Sequence, residues 1–126
     1  MRTTTFDEFV SLSRRGTFVP VVREVPADLL TPVSAFLRIA ERSEHAFLFE
    51  SVEGGERVAR YSFLGKDPFL ILRATRDGRA ILEEGGVRSM SEKAPIETLR
   101  DLMGRYRAPF VPGLPRFTGG AVGSFA

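Results

Sequence analysis

The sequence contains no cysteine. Disulfides, thiolate nucleophiles and cysteine-ligated metals are therefore excluded. It contains one histidine, His45. Clusters of imidazole ligands, and triads built on any other histidine, are excluded with it. An excess of one charge is also missing: 18 Lys and Arg stand against 16 Asp and Glu, a net +2. The basic pI near 9.5 reflects that small imbalance, and acids and bases are interspersed. A nucleic-acid face or a polybasic membrane patch is not expected. The amino terminus carries Asp7 and Glu8 and no continuous apolar run. It reads as neither a signal peptide nor a membrane span. A soluble, cytoplasmic protein is the expectation.

What is present suits one domain. The chain has 126 residues, 43% hydrophobic and 27% charged, enough to bury a core. Thr5-Phe-Asp-Glu8 has the form of a capping box, with Glu8 reaching back to the cap. It predicts a helix from Thr5 to Arg15, with Phe6, Phe9 and Val10 on one face and Gly16 as the stop. Thr17 to Val25 is rich in β-branched residues and predicts a strand, placed near an edge by Pro20. Thr31 and Pro32 cap and open a second helix, whose apolar stripe is Val33, Phe36, Leu37 and Ala40.

Ala46 to Val52 and Val58 to Leu64 read as two strands joined by a turn at Glu53-Gly-Gly-Glu56. Phe69 to Thr75 is a further strand. Asp77-Gly78 turns it into Ala80 to Glu83, and a short strand is expected after Gly85-Gly86. Pro95 opens the last helix, with Ile96, Leu99, Leu102, Met103 and Tyr106 on one side. Ala108 to Pro115 carries three prolines and reads as an irregular connector. Phe117 to Ala126 reads as a Gly-rich strand, so the chain ends inside an apolar element where polar, frayed residues are usual. That ending predicts a truncation. The order of elements implies an α+β fold: an antiparallel sheet with short hairpins and about three helices.

Few residues carry a distinct chemistry. Glu50 and Ser51 close a strand before a glycine turn. A carboxylate, a hydroxyl and nearby backbone groups converging there can take a small polar ligand, and an ammonium group suits Glu50. The competing reading has Ser51 bonding local backbone and Glu50 pairing with an arginine such as Arg60. Glu53-Gly-Gly-Glu56 is no phosphate cradle, because its carboxylates repel phosphate and no Lys-Ser or Lys-Thr follows. Gly119-Gly-Ala-Val-Gly123 lacks the helix and acidic residue of a dinucleotide loop, and close backbone packing explains it better. Glu83, Glu84 and Glu92 offer carboxylates for a metal or acid–base pair, but they fall near turns, and a solvated face is the better reading. His45 is expected in an exposed loop.

Taken together, several blocks resemble the amino-terminal region of anthranilate synthase component I. They are Leu29-Leu-Thr-Pro-Val-Ser-Ala-Phe-Leu37, Phe47-Leu-Phe-Glu-Ser-Val-Glu-Gly-Gly-Glu56, Arg60-Tyr-Ser-Phe-Leu-Gly65 with Asp67-Pro68, and Leu114-Pro-Arg-Phe-Thr-Gly-Gly-Ala-Val-Gly123. They occur in order over nearly the whole chain. The resemblance implies that residues 1–126 are a regulatory, amino-terminal part of a larger two-layer α/β sandwich, with the chorismate-binding catalytic domain absent. It implies a parent lyase that converts chorismate to anthranilate with Mg²⁺, using ammonia from a glutamine amidotransferase component II. It also implies feedback inhibition by L-tryptophan. By the same resemblance Ser51 is an effector contact and Glu50 a weaker one, and no catalytic residue, metal ligand or cofactor is assigned to this chain. The same region of aminodeoxychorismate synthase component I, in the folate pathway, shares much of this pattern. A stand-alone binding module without catalysis is the third reading.

Overall fold

The computed structural model describes residues 1–50 and 61–125. They form two compact units, Met1–Val25 with Leu72–Ala126, and Pro26–Ile71.

In the second unit, α2 spans Pro32–Ala40, following α1 (Phe6–Ser13) in chain order. Pro32 occupies the first turn, where its missing N–H costs nothing. The Thr31 hydroxyl accepts from Ser34 N at 3.1 Å, and Ser34 Oγ accepts from Thr31 N at 2.9 Å. This reciprocal box satisfies two amide groups that the helix leaves open. The expected stripe holds in part, and none of its residues is fully buried. Phe36, Ile39 and Ala40 are half-buried, while Val33 and Leu37 are 48% and 64% exposed. α2 packs on an antiparallel pair, β1 (Ala46–Glu50) and β2 (Ser62–Lys66). Its register runs from Ala46 opposite Lys66 to Glu50 opposite Ser62. The expected glycine turn and Val58 lie outside the described residues.

In the first unit, Thr5 caps α1 by accepting from Glu8 N at 3.2 Å. The reciprocal arm of the expected box is not made. The Glu8 carboxylate instead takes a 2.9 Å hydrogen bond from Arg2, whose guanidinium also reaches Pro112 O. A charged partner competes successfully with an exposed amide. The buried residue of α1 is Leu12, while Phe6 is 77% exposed. The expected strand over 17–25 reduces to one bridge, Thr3 opposite Arg23. Pro20 supplies no donor, and Thr17 N and Phe18 N turn to Arg107 O instead.

β3 (Leu70–Ala74), β4 (Ala80–Glu84) and β5 (Val87–Ser91) form a second sheet in that order. Among the described residues the strands thus make two small sheets, of two and three strands, where one was expected. Gly78, Gly85 and Gly86 all have positive φ, which explains why glycine stands at both turns. α3 (Pro95–Gly104) buries Thr98 and Leu102. Thr98 Oγ1 is satisfied by Ser91 Oγ at 2.9 Å and Lys93 O at 3.3 Å. Ile96 and Met103, expected inside, are half or nearly half exposed.

The expected last strand is not formed. Residues 117–125 lie in neither strand nor helix. Gly119 and Gly120 hold φ near +151° and +145°, a region closed to other residues. A side chain on Gly119 would meet the Phe18 ring at 3.1 Å. The glycines there serve close packing against an aromatic ring, with no sheet involved. Among the described residues, three helices and two antiparallel sheets make the α+β class that the sequence predicts.

Candidate functional site

Glu50 is the last residue of β1 and is exposed. Alternation along the pair assigns it a face. Leu48, Glu50, Ser62 and Leu64 lie on one side; Phe47, Phe49, Phe63 and Gly65 lie on the other. The second side is an aromatic one. Phe47 and Phe49 have ring centroids 5.3 Å apart, and Phe63 stacks on Tyr61 at 6.2 Å. Phe47 lies directly across from Gly65, and the ring fills the space that a side chain there would need.

The far end of the hairpin is locked by Asp67. Its N–H donates to His45 O at 3.0 Å. Ser43 Oγ lies 2.7 Å from the carboxylate and 2.8 Å from His45 O, and its single proton is shared between these two acceptors. Asp67 has φ +49°, a left-handed conformation that aspartate tolerates better than most residues. The Ser43 hydroxyl, then Lys66 at 3.0 Å, hold its carboxyl below the usual aspartate value. His45 was expected in an exposed loop. It is half-buried at the head of β1, and its backbone carbonyl is part of this lock.

The hairpin is thus fixed at its Asp67 end and presents Glu50 at the other. No side-chain hydrogen bond or ion pair joins the Glu50 carboxylate to another described residue. Ser51 and Arg60 lie outside the described residues, so the expected convergence of Glu50 with Ser51, and the Arg60 pairing, fall there too. The other suggested carboxylates do not gather. Glu83 pairs with Arg88, its cross-strand partner, at 3.2 Å, and Glu84 and Glu92 are exposed. Among the described residues, no three acidic or imidazole groups converge as a metal site requires, and no helix is long and apolar enough to cross a membrane.

Among the described residues, open grooves occur in the first unit. One, of about 400 Å³, is lined by Phe18 to Val22 and by Leu114, Pro115, Phe117 and Thr118. The other, of about 370 Å³, lies between β4, the end of β5 and α3. Neither is lined by Glu50. Sequence reasoning missed one residue near the candidate site, Ser62 opposite Glu50. Its position depends on strand register, which the sequence does not display.

No protein-family model matches the chain, and no solved structure matches it. Curated relatives do. The chain is 44% identical over 121 residues to anthranilate synthase component 1 of Acetivibrio thermocellus, covering 96% of this chain and 24% of the relative. It is 39% identical over 118 residues to the protein of that name from Synechocystis, covering 94% and 23%. With that of Aquifex aeolicus it shares 35% over 120 residues, covering 95% and 24%. The chain spans about a quarter of the length of these relatives. Similarity of this extent runs through both units and through every block that carried the resemblance, and it assigns the chain to the anthranilate synthase component 1 family as the counterpart of its amino-terminal region.

Proposed function

We propose that this chain is the effector-sensing part of an enzyme that converts chorismate to anthranilate in tryptophan biosynthesis, and that its effector is L-tryptophan. The observation that carries the reading is the ordered similarity over 121 residues to a protein named anthranilate synthase component 1. The geometry supports it in one respect. Glu50 is an exposed carboxylate on a hairpin fixed at its opposite end, suited to an ammonium group. Ser51 follows it and is the second proposed contact.

The catalytic work belongs, in this reading, to the part of the relatives that this chain does not span. Mg²⁺ would supply charge stabilisation to the carboxylates of the substrate. The described residues do not fit it, because no three acidic or imidazole groups converge among them. The ammonia-supplying partner would be a glutamine amidotransferase, component II. Inhibition follows from a shift of population: tryptophan bound across this hairpin and a later segment favours a state that binds chorismate or the partner less well.

The test is turnover. Given chorismate, Mg²⁺ and ammonia, the purified chain produces no anthranilate fluorescence. Turnover by the isolated chain contradicts the division of labour. Calorimetry with tryptophan separates this reading from a self-sufficient binding module: tight, saturable heat supports the module, and weak or no binding is expected here, because half of the site is missing.

A further inference from the structure

We propose that Asp77 is a site of isoaspartate formation, reached by attack of Gly78 N on the Asp77 carboxyl carbon, and that Thr75 sets its rate. The site lies in the turn between β3 and β4, in the first unit.

The chain has no asparagine, so a five-membered ring can close only on aspartate. It closes when the amide nitrogen of the following residue reaches the side-chain carboxyl carbon. A side chain on that residue obstructs the approach, and proline has no N–H to give up. The residues that follow an aspartate are Glu8, Leu29, Pro68, Gly78 and Leu102. Asp77 alone is followed by an N–H that carries no side chain. Its carboxylate is open to water, with the side chain 62% exposed. A Cβ built on Gly78 would meet nothing within 4 Å, so space for the ring exists.

The reaction is a cyclisation followed by a hydrolysis. Gly78 N forms a bond to the Asp77 carboxyl carbon in its protonated form. The nitrogen gives up its proton and the carboxyl its hydroxyl, which leave together as one water. Water then opens the succinimide at either carbonyl and restores the mass. Opening at the main-chain carbonyl leaves the backbone running through the side-chain carbon, as isoaspartate. The turn holds both reacting atoms back. Gly78 N–H donates to Thr75 O at 3.1 Å. The Thr75 hydroxyl donates to the Asp77 carboxylate, and its oxygen accepts from Arg79 N at 3.0 Å. The Arg79 guanidinium pairs with the same carboxylate at 3.2 Å. Thr75 first, and Arg79 among the lesser causes, keep the carboxyl below the usual aspartate value, in the ionised form that resists attack. Ring closure therefore waits for local opening of the turn.

The test incubates the chain at mildly acidic pH, folded in buffer and unfolded in urea. Isoaspartate is counted as methyl groups accepted from S-adenosylmethionine through an isoaspartyl methyltransferase, and peptide fragmentation locates it. The parent chain is expected to gain isoaspartate at Asp77, about tenfold or more slowly when folded than in urea. Asp77→Glu keeps the charge but requires a six-membered ring, and its methyl acceptance stays at background. Thr75→Val removes the hydroxyl and keeps the branched shape. In the folded chain it speeds the reaction by about tenfold, the loss of one hydrogen bond to a charged group. Thr75→Ser retains the hydroxyl and the parent rate. In urea all three Thr75 forms react alike.

Methyl acceptance that survives Asp77→Glu overturns the site. So does an absence of acceptance in the urea-unfolded parent chain. Equal rates for the folded Val and Ser variants overturn the role of Thr75, as does a folded parent chain that reacts as fast as the unfolded one.

Discussion

Gly65→Ala is expected to destabilise the hairpin that holds the candidate site, and Phe47 is the reason. A methyl at Gly65 would stand 2.5 Å from Cε1 and 2.9 Å from Cζ of Phe47, with Cδ1 at 3.4 Å. Carbon atoms prefer about 3.5–4.0 Å, so the ring must retreat by about 1 Å. Phe49, with its centroid 5.3 Å away, restricts that retreat. Overpacking of this kind costs about 1–3 kcal/mol. Against it, alanine loses less backbone freedom than glycine on folding, a gain of about 0.5–1 kcal/mol. Gly65 is not among the residues with positive φ, so the backbone itself accepts alanine. The net expectation is about 0–2.5 kcal/mol of destabilisation. Urea unfolding measures it as a lower midpoint at unchanged slope. The decisive assay is a double-mutant cycle with Phe47→Leu, which removes the ring atoms nearest the methyl. In that background Gly65→Ala becomes neutral or stabilising, with a coupling of about 1–2 kcal/mol. An equal cost in both backgrounds, or stabilisation in the parent chain, refutes the account of the Phe47–Gly65 contact.

Two further expectations follow from the fixed points of the two units. Gly16→Ala places a methyl 2.4 Å from Arg107 O and 2.6 Å from Pro109 Cδ, where backbone must move and the bonds from Thr17 N and Phe18 N to Arg107 O are strained. A loss of about 2–4 kcal/mol is expected in urea unfolding, with faster hydrogen exchange at the Thr17 and Phe18 amides. Asp67 is expected to titrate below the usual aspartate value, because Ser43 and then Lys66 favour its ionised form. Its contribution to stability is present above the unfolded-state pKa and is lost as pH falls through the lowered folded value. NMR titration of the Asp67 carboxyl checks this, and Ser43→Ala should return the midpoint toward the usual value.

The features legible in the sequence are those set by neighbouring residues. Thr31 and Pro32 announce α2 because a side-chain cap and a first-turn proline act within one helical turn. Asp77-Gly78 and Gly85-Gly86 announce the turns flanking β4 because positive φ is a local demand. Features set by distant partners were not legible. Glu8 satisfies the cap rule yet goes to Arg2, which also reaches Pro112. Residues 17–25 have strand composition, but their amide partners lie at Arg107 and the chain start. Phe117 to Phe125 has apolar composition and no strand, because a strand exists only with a neighbour to pair with. Val33, Phe36, Leu37 and Ala40 read as one stripe by helical spacing; Phe36 and Ala40 are half-buried together with Ile39, while Val33 and Leu37 are exposed. Periodicity gives a stripe but not which side of it meets the sheet. At the site, Glu50 was legible as a polar residue closing a strand. Ser62 was not, because register depends on where the connecting segment begins and ends.

The central claim is that this hairpin senses tryptophan. The direct measurement grafts these residues in place of the matching region of the Acetivibrio thermocellus protein, with which they share 44% identity over 121 residues. Anthranilate formation is then followed by fluorescence as tryptophan is raised, with and without Ser51→Ala. The account predicts unchanged turnover without tryptophan and a half-inhibiting concentration raised by about tenfold or more, the loss of one hydrogen bond to a charged ligand. Equal sensitivity to tryptophan in the two grafted enzymes contradicts it.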